Sequence, residues 1–445
     1  MKLDVQINNF GKIHHANIKL RPFTIITGPN NAGKSFIIQA LHGFFNSVDN
    51  NRVSKTLLDT NVLLQRFFKN FQIMFKDTDP ALLDSAELMS AKLDALEQCL
   101  LNCDTNGYQI VTVITDYLAS YSIFDLRQAY KSVIELAQQH PDFHLTFPNN
   151  ELNQLVAILS DPIRNLERSI EMAFAKSLLC RFGIKTLGKL KNLTSPYEDL
   201  VSLSFDQFAH VQFNAKGHMV VELGNINHYP PLMNLTLLES PVYWKIKSLS
   251  NLKKSVKNKS YNNIPRHFYH LLHSLDAQRD SLTTDANILS LIENLTDELG
   301  GEIDFSADGD LCFKLANTYH EVPLSATSDG TVQLGMLALL LKHQVINKEG
   351  IVFIDAPEMN LHPKWQKLLV TTLYQLSKVG ITVVMASHSI NIIKACEELM
   401  FELNGAQLDN HFGLNQLNQH GLSVNDELPA MDKMTAIMSD LESMG

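Results

Sequence analysis

The chain has 445 residues, 45% of them hydrophobic and 19% charged, an ordinary globular composition that excludes a disordered or fibrous protein. Its 37 basic and 47 acidic residues give a formal net charge of −10, which leaves no global basic footprint for a nucleic acid. The most apolar stretches, such as "GMLALLL" at 335–341, fall far short of the roughly 20 residues a bilayer crossing needs, and "MKLDVQINNF" lacks a signal-peptide pattern, so a cytoplasmic chain without a membrane partner is expected.

Residues 2–9 and 15–20 alternate apolar and polar like two paired strands around "NFGKI", and "FTIIT" at 23–27 is a short β-rich run that stops at a glycine. A helix follows in "GKSFIIQALHGFF" at 33–45. Between strand and helix, "GPNNAGKS" satisfies the G-x-x-x-x-G-K-[ST] phosphate loop, so Gly28, Pro29, Asn30, Asn31, Ala32, Gly33, Lys34 and Ser35 are expected to bind ATP. The two glycines let backbone amides face the phosphates, Lys34 reaches the β and γ oxygens, and the Ser35 hydroxyl binds Mg²⁺ at the head of the helix.

After residue 47 the pattern turns helical, as in "PALLDSAELMSAKLDALEQCLLN" at 80–102 and "DPIRNLERSIEMAFAKSLLCRF" at 161–182. The segment 48–195 reads as an inserted helical lobe whose apolar positions do not hold a strict heptad. Five cysteines, at 99, 103, 180, 312 and 396, form no C-x-x-C pair, so neither a disulfide framework nor a zinc site is expected.

Strand patterns return at 209–223 and 302–315, each broken by a Gly-containing turn as hairpins require. Between them lies a basic stretch with Lys245, Lys247, Lys253, Lys254, Lys257 and Lys259. It suits either a DNA contact or a solvated face, and both readings stand. In "LSATSDGTVQLGMLALLL" the residues Ser328, Asp329 and Gly330 precede a helix, which fits a second anion site or simple N-capping by Ser328. "IVFID" then supplies a buried strand with Asp355 at its end, placed to hold Mg²⁺. A helix near 363–378, the strand "ITVVMAS", His388 in "ASHS" and a helix near 390–399 complete an alternation that indicates a mostly parallel sheet covered by helices. His388 is placed to contact a γ-phosphate or the attacking water. Residues 409–445 read as a polar link and a tail helix, "DKMTAIMSDLESM".

The string of phosphate loop, serine-glycine signature, "IDAPEMNLHP" and "ASHS", in that order, resembles the ABC-type ATPase heads of the SMC, RecF and OLD group, including ATPases of the AAA_15 and AAA_21 kind. The resemblance covers 1–47 and about 200–405. It implies an α/β head, with a mostly parallel sheet and an antiparallel β subdomain, split into 1–47 and 196–408 by the lobe. The S-D-G signature looks most similar to ATPase subunits of bacterial anti-phage systems such as Septu and PARIS. This implies a dimer of heads or a higher multiple, in which Ser328 and Gly330 of one copy meet the γ-phosphate held by Lys34 of another and residues 360–362 cross between the sites. OLD-type nucleases carry a Toprim domain for which too few residues follow His388, so a partner effector, a nuclease, is expected. A RecF-like DNA-repair ATPase that binds DNA itself is the alternative.

One position departs from the family pattern. Ala356 stands where a glutamate polarises the attacking water, and a methyl group can neither accept a proton nor orient water. The sequence therefore predicts an ATPase deficient in hydrolysis, either by nature or through an engineered glutamate-to-alanine change. Glu358 lies beyond Pro357, and the loop direction after the proline is expected to turn it away from the site.

Overall fold

A computed structural model describes residues 1–49, 53–76, 79–101, 109–139, 146–196, 198–224, 234–246 and 265–444. The chain divides into two units, one of residues 1–45, 175–219 and 227–445, the other of 46–174 and 220–226.

In chain order, β1 (Leu3–Phe10), β2 (Ile13–Leu20) and β3 (Phe23–Thr27) lead into α1 (Lys34–Asp49). Next come α2 (Val53–Phe75), α3 (Pro80–Leu101), α4 (Gln109–Ser120), α5 (Ile123–Ala137), α6 (Asn149–Ser160) and α7 (Pro162–Arg181). Strands β4 (Val201–Phe205), β5 (Ala209–Phe213), β6 (Met219–Leu223) and β7 (Leu235–Leu238) precede α8 (Val242–Ile246), α9 (Arg266–Ala277) and α10 (Ala286–Leu299). After β8 (Gly301–Phe305), β9 (Leu311–Leu315) and β10 (Glu321–Pro323) come α11 (Asp329–Lys342), β11 (Ile351–Asp355), α12 (Pro363–Lys378), β12 (Thr382–Ala386) and α13 (Ile390–Met400). The described chain closes with α14 (Gly405–His411), β13 (Phe412–Leu417), β14 (Ser423–Val424) and α15 (Ala430–Met444).

In the first unit, the expected alternation pairs β1 with β2 antiparallel, Val5 opposite Ile18 and Ile7 opposite Ala16, and β4 and β5 extend that sheet in the order β2-β1-β4-β5. A second sheet runs β14-β13-β3-β12-β11-β7, with β13, β3, β12, β11 and β7 parallel and β14 antiparallel at the edge. Strand β3 is buried at every position, as a strand covered on both faces must be. Phe23 of β3, Tyr374 of α12 and Phe412 of β13 form a ring triad with centroids 5.3–5.8 Å apart, in the edge and offset arrangements that aromatic quadrupoles favour. The α/β class with a mostly parallel sheet, helices and antiparallel β structure is thus the observed one.

The sequence reading expects a polar link after residue 410. Instead β13 is a strand buried at all six positions, parallel to β3. The polar letters mislead because Asn415 is enclosed and bonded: its side-chain oxygen accepts from Lys19 N at 2.8 Å and its amide donates to Ile25 O at 3.3 Å. A buried amide with its partners supplied is compatible with a core strand.

The second unit is helical. The face of α2 carrying Leu57, Leu64, Phe68, Phe71 and Phe75 is buried, as are Leu82, Met89, Leu93 and Leu96 of α3, both at helical spacing. Within that packing the Asn61 amide donates to Leu93 O at 3.0 Å. No described helix is long and apolar enough to cross a membrane.

Asp49 ends α1, and burial pushes its carboxyl up from 3.8 to about 6. A raised carboxyl opposes folding when ionised, so the penalty is absent below the ordinary value and complete above about 6. Asp49→Asn should raise the urea stability at pH 7.5, by of order 1 kcal/mol, and the gain should vanish as the pH falls toward 4.

Candidate functional site

Strand pairing brings distant motifs to one edge. Ile26 of β3 lies opposite Ala386 of β12, and Ala386 lies opposite Asp355 of β11. The loop after β3, the residues after β12 and the carboxylate ending β11 therefore emerge side by side at the carboxyl ends of parallel strands, where open α/β sheets bind ligands.

The loop has the backbone that the glycines predict, with Gly28 at φ 145, Asn31 at φ 63 and Gly33 at φ 101. A Cβ on Gly28 would stand 2.4 Å from the Leu417 carbonyl oxygen, and one on Gly33 would stand 2.5 Å from Ile13 Cδ1. Asn30 and Asn31 are exposed at the crest, Pro29 is half-buried and Ala32 is buried beneath it. Lys34 Nζ donates to the carbonyls of Gly28 and Pro29, both at 2.9 Å. Burial lowers the Lys34 pKa, and the nearby carboxylates of Glu358 and Asp355 partly restore it. Ser35 Oγ donates to Asp355 Oδ1 at 3.0 Å, joining the head of α1 to the end of β11. Burial raises the Asp355 carboxyl, opposed by the Ser35 hydrogen bond and by the Lys34 charge.

The segment that follows Asp355 corrects one expectation. Ala356 lies in the left-handed region at φ 52, its amide donates to Ala386 O at 2.9 Å, and its own carbonyl accepts from Met359 N at 3.1 Å. That turn reverses the chain across Pro357 and carries Glu358 into the site, not away from it. The Glu358 side chain is only 9% exposed. Its Oε2 accepts from Ser387 Oγ at 2.8 Å and its Oε1 accepts from the His388 amide at 3.1 Å, with His388 Nδ1 lying 2.8 Å from the same oxygen. Gln333 of α11 donates to Pro357 O at 2.9 Å and Gln366 of α12 donates to Leu361 O at 3.0 Å, so the segment is held along its length.

Glu239, one residue past β7, is a further acid that the sequence reading missed. Gln39 Nε2 donates to it at 2.8 Å, His267 Nε2 lies 2.9 Å away, and its charge helps raise the Asp355 carboxyl. The available signal was the one used for Asp355, a short β-rich run, "LTLL", ending at an acid.

Ser328 caps α11, its hydroxyl accepting from Thr331 N at 3.2 Å, as simple N-capping requires. Asp329 pairs with Lys245 and accepts from Asn360 Nδ2 at 3.1 Å. Gly330 lies so close to this loop that a Cβ would stand 3.0 Å from Asn360 O. Ser328, Asp329, Gly330, Asn360, His362 and Trp365 line an open cleft of about 520 Å³. Among the described residues no hydrogen bond joins this cleft to Lys34 or Ser35. Lys245 also donates to Thr327 O at 2.5 Å, which makes it a brace of the cleft. Lys247, Lys253, Lys254, Lys257 and Lys259 lie outside the described residues.

Chemically, a glycine-turned loop with a lysine and a hydroxyl beside a strand-end carboxylate fits a triphosphate and a hard cation, for which oxygen donors are the preferred ligands. Residues 1–393 match the family model described as the AAA ATPase domain. No curated protein matches the chain. Similar solved structures include an SMC head bound to the C-terminal winged-helix domain of ScpA, 11% identical over 98% of this chain and 99% of that one, with a TM-score of 0.44. The SMC head domain from Thermotoga maritima is 10% identical over 95% and 98%, with a TM-score of 0.36. An ATP-binding cassette of an ABC transporter in its ADP conformation is 9% identical over 100% and 97%, with a TM-score of 0.34.

Because Ser328 supplies the side-chain cap of α11, Ser328→Ala should lower stability by about 0.5–2 kcal/mol in chemical denaturation while the remaining fold persists.

Proposed function

The chain belongs to the AAA ATPase domain family, and from that premise we propose that it binds ATP with Mg²⁺ at the edge shared by residues 28–35, Asp355 and His388 and couples binding to assembly of its heads. The observation that carries the reading is the Ser35–Asp355 contact at 3.0 Å beside the half-buried Lys34 ammonium. Lys34, now satisfied by two carbonyls, would exchange them for phosphate oxygens, and the loop amides would take the remaining charge. Ser35 and Asp355 would hold Mg²⁺, which when bound neutralises charge on the β and γ phosphates. His388, at the end of the neighbouring strand, would face the γ-phosphate.

The cleft at Ser328 and Gly330 is open and is lined by no residue of the phosphate loop, which supports a second copy as the source of the nucleotide it would meet. In this reading ATP closes a dimer of heads, or a higher multiple, and the closed assembly holds or activates a partner effector, a nuclease, in anti-phage defence. The support for the defence role is the order and spelling of the motifs. Direct DNA binding through the basic stretch has less support, because Lys245 is committed to Asp329.

Ala356 leaves the water without the usual carboxylate, so turnover should be slow and ATP-bound assemblies long-lived. Equilibrium binding and light scattering test this. The given chain should bind ATP·Mg²⁺ and gain mass, whereas Lys34→Ala should do neither, and a given chain that binds no nucleotide would overturn the reading. Ala356→Glu should raise phosphate release by about 10²- to 10⁴-fold.

A further inference from the structure

We infer that two copies of the chain meet through opposite charge, cationic turns beside the phosphate loop of one copy docking on an acidic helix face beside the Ser328 cleft of the other; the inference rests on the assembly reading above. Charge in this chain is segregated along the sequence. Residues 5–48, 172–197 and 207–221 contain no Asp or Glu, whereas residues 280–313 contain nine and no Lys, Arg or His.

Folding gathers the segments that lack acids. Gly11 N, in the turn between β1 and β2, donates to Leu190 O at 2.5 Å, and Gly188 is pressed so near Ala215 that a Cβ would stand 1.9 Å from its carbonyl oxygen. The turns that carry Lys12, Lys189 and Lys216 are therefore neighbours. All three lysines are exposed, and none has an ion-pair partner among the described residues. The first of these turns also abuts the phosphate loop, since a Cβ on Gly33 would stand 3.5 Å from Lys12 Cβ.

The complementary surface is α10. Glu298 in its last turn accepts from Lys364 Nζ at 2.5 Å and from Trp365 Nε1 at 3.3 Å, and both partners line the Ser328 cleft. Glu293 and Asp297 stand four residues apart on the same helix, exposed and without an ion-pair partner among the described residues. Within one copy that placement is unfavourable twice. Like charges at this spacing repel, and acids in a last turn that holds no base oppose the helix dipole. Cations arriving from outside relieve both. A second copy presents the cationic and the acidic surface together, so a two-fold pair makes the same contact twice. A nucleic acid would gain from the lysines alone and would be repelled by a chain whose net charge is −10.

The test uses the chain in two charge-reversed forms, Lys12→Glu with Lys189→Glu, and Glu293→Lys with Asp297→Lys. Readouts are binding of a fluorescent ATP analogue and the mass gained with ATP·Mg²⁺ in light scattering. Each form alone should bind the analogue as the unsubstituted chain does, which also reports an intact fold, but should need about tenfold or more higher concentration to gain mass. An equal mixture of the two should assemble near the unsubstituted concentration, because reversed turns then meet a reversed helix at one contact and native surfaces meet at the other. Raising salt from about 50 mM to about 500 mM should weaken assembly of the unsubstituted chain. Mass gain by either form alone at the unsubstituted concentration, no recovery on mixing, or assembly indifferent to salt would overturn the inference and leave the nucleotide reading standing. So would a labelled DNA duplex held by the unsubstituted chain and released by the Lys12→Glu, Lys189→Glu form, which would assign the turns to nucleic acid. An unsubstituted chain that binds the analogue without gaining mass overturns the inference together with the assembly reading, and one that binds no analogue removes the nucleotide reading as well.

Discussion

The parallel register of β3, β12 and β11 is the constraint on which the rest depends. It sets Ile26, Ala386 and Asp355 level across three strands. Segments separated by hundreds of residues thereby reach the same edge without any long side chain bridging them. Each strand is short and almost wholly apolar, and parallel pairing buries both faces, so a slip of one residue would exchange the side chains packed on the two faces and shift a functional residue out of level with its neighbours. The 3.0 Å contact of Ser35 with Asp355 depends on that register rather than causing it.

Residues 356–362 use the edge in a different way. They form no regular element, yet contacts to several elements hold them along their length. The Ala356 amide goes to β12, Pro357 O to α11, the Glu358 carboxylate to the residues after β12, Asn360 to Asp329, and Leu361 O to α12. A loop satisfied by side chains from several elements can be rigid without being regular. Its left-handed alanine carries an intrinsic cost of roughly 1–2 kcal/mol. That the turn persists indicates that these contacts over-determine it. Through this loop the phosphate edge and the Ser328–Gly330 cleft share one piece of backbone.

Much of this was legible in the sequence because the relevant physics is local. The phosphate loop announces itself through glycine spacing, and β3, β11 and β12 through apolar runs of strand length. What could not be read was directional or cooperative. The inward aim of Glu358 follows from a left-handed residue two positions earlier, and nothing in the letters A-P-E states that sign of φ. Strand β13 was hidden by Asn415 and Gln416, polar residues whose partners Lys19 and Asp440 lie elsewhere in the chain. Lys245 counted as part of a cationic run until its partner, Asp329, became visible more than eighty residues on.

The position of β13 has a consequence for where this domain ends. The family match stops at residue 393, but the sheet does not: β13 flanks β3 on the side opposite β12, and the carbonyl of its last residue, Leu417, forms the wall against which Gly28 is pressed. Strand β3 has two neighbours, and one of them is contributed by residues beyond the matched segment. A fragment cut at the matched boundary would contain every motif letter yet leave the strand that launches the phosphate loop as an open sheet edge. The matched segment and the sheet that carries the phosphate loop are therefore of different lengths.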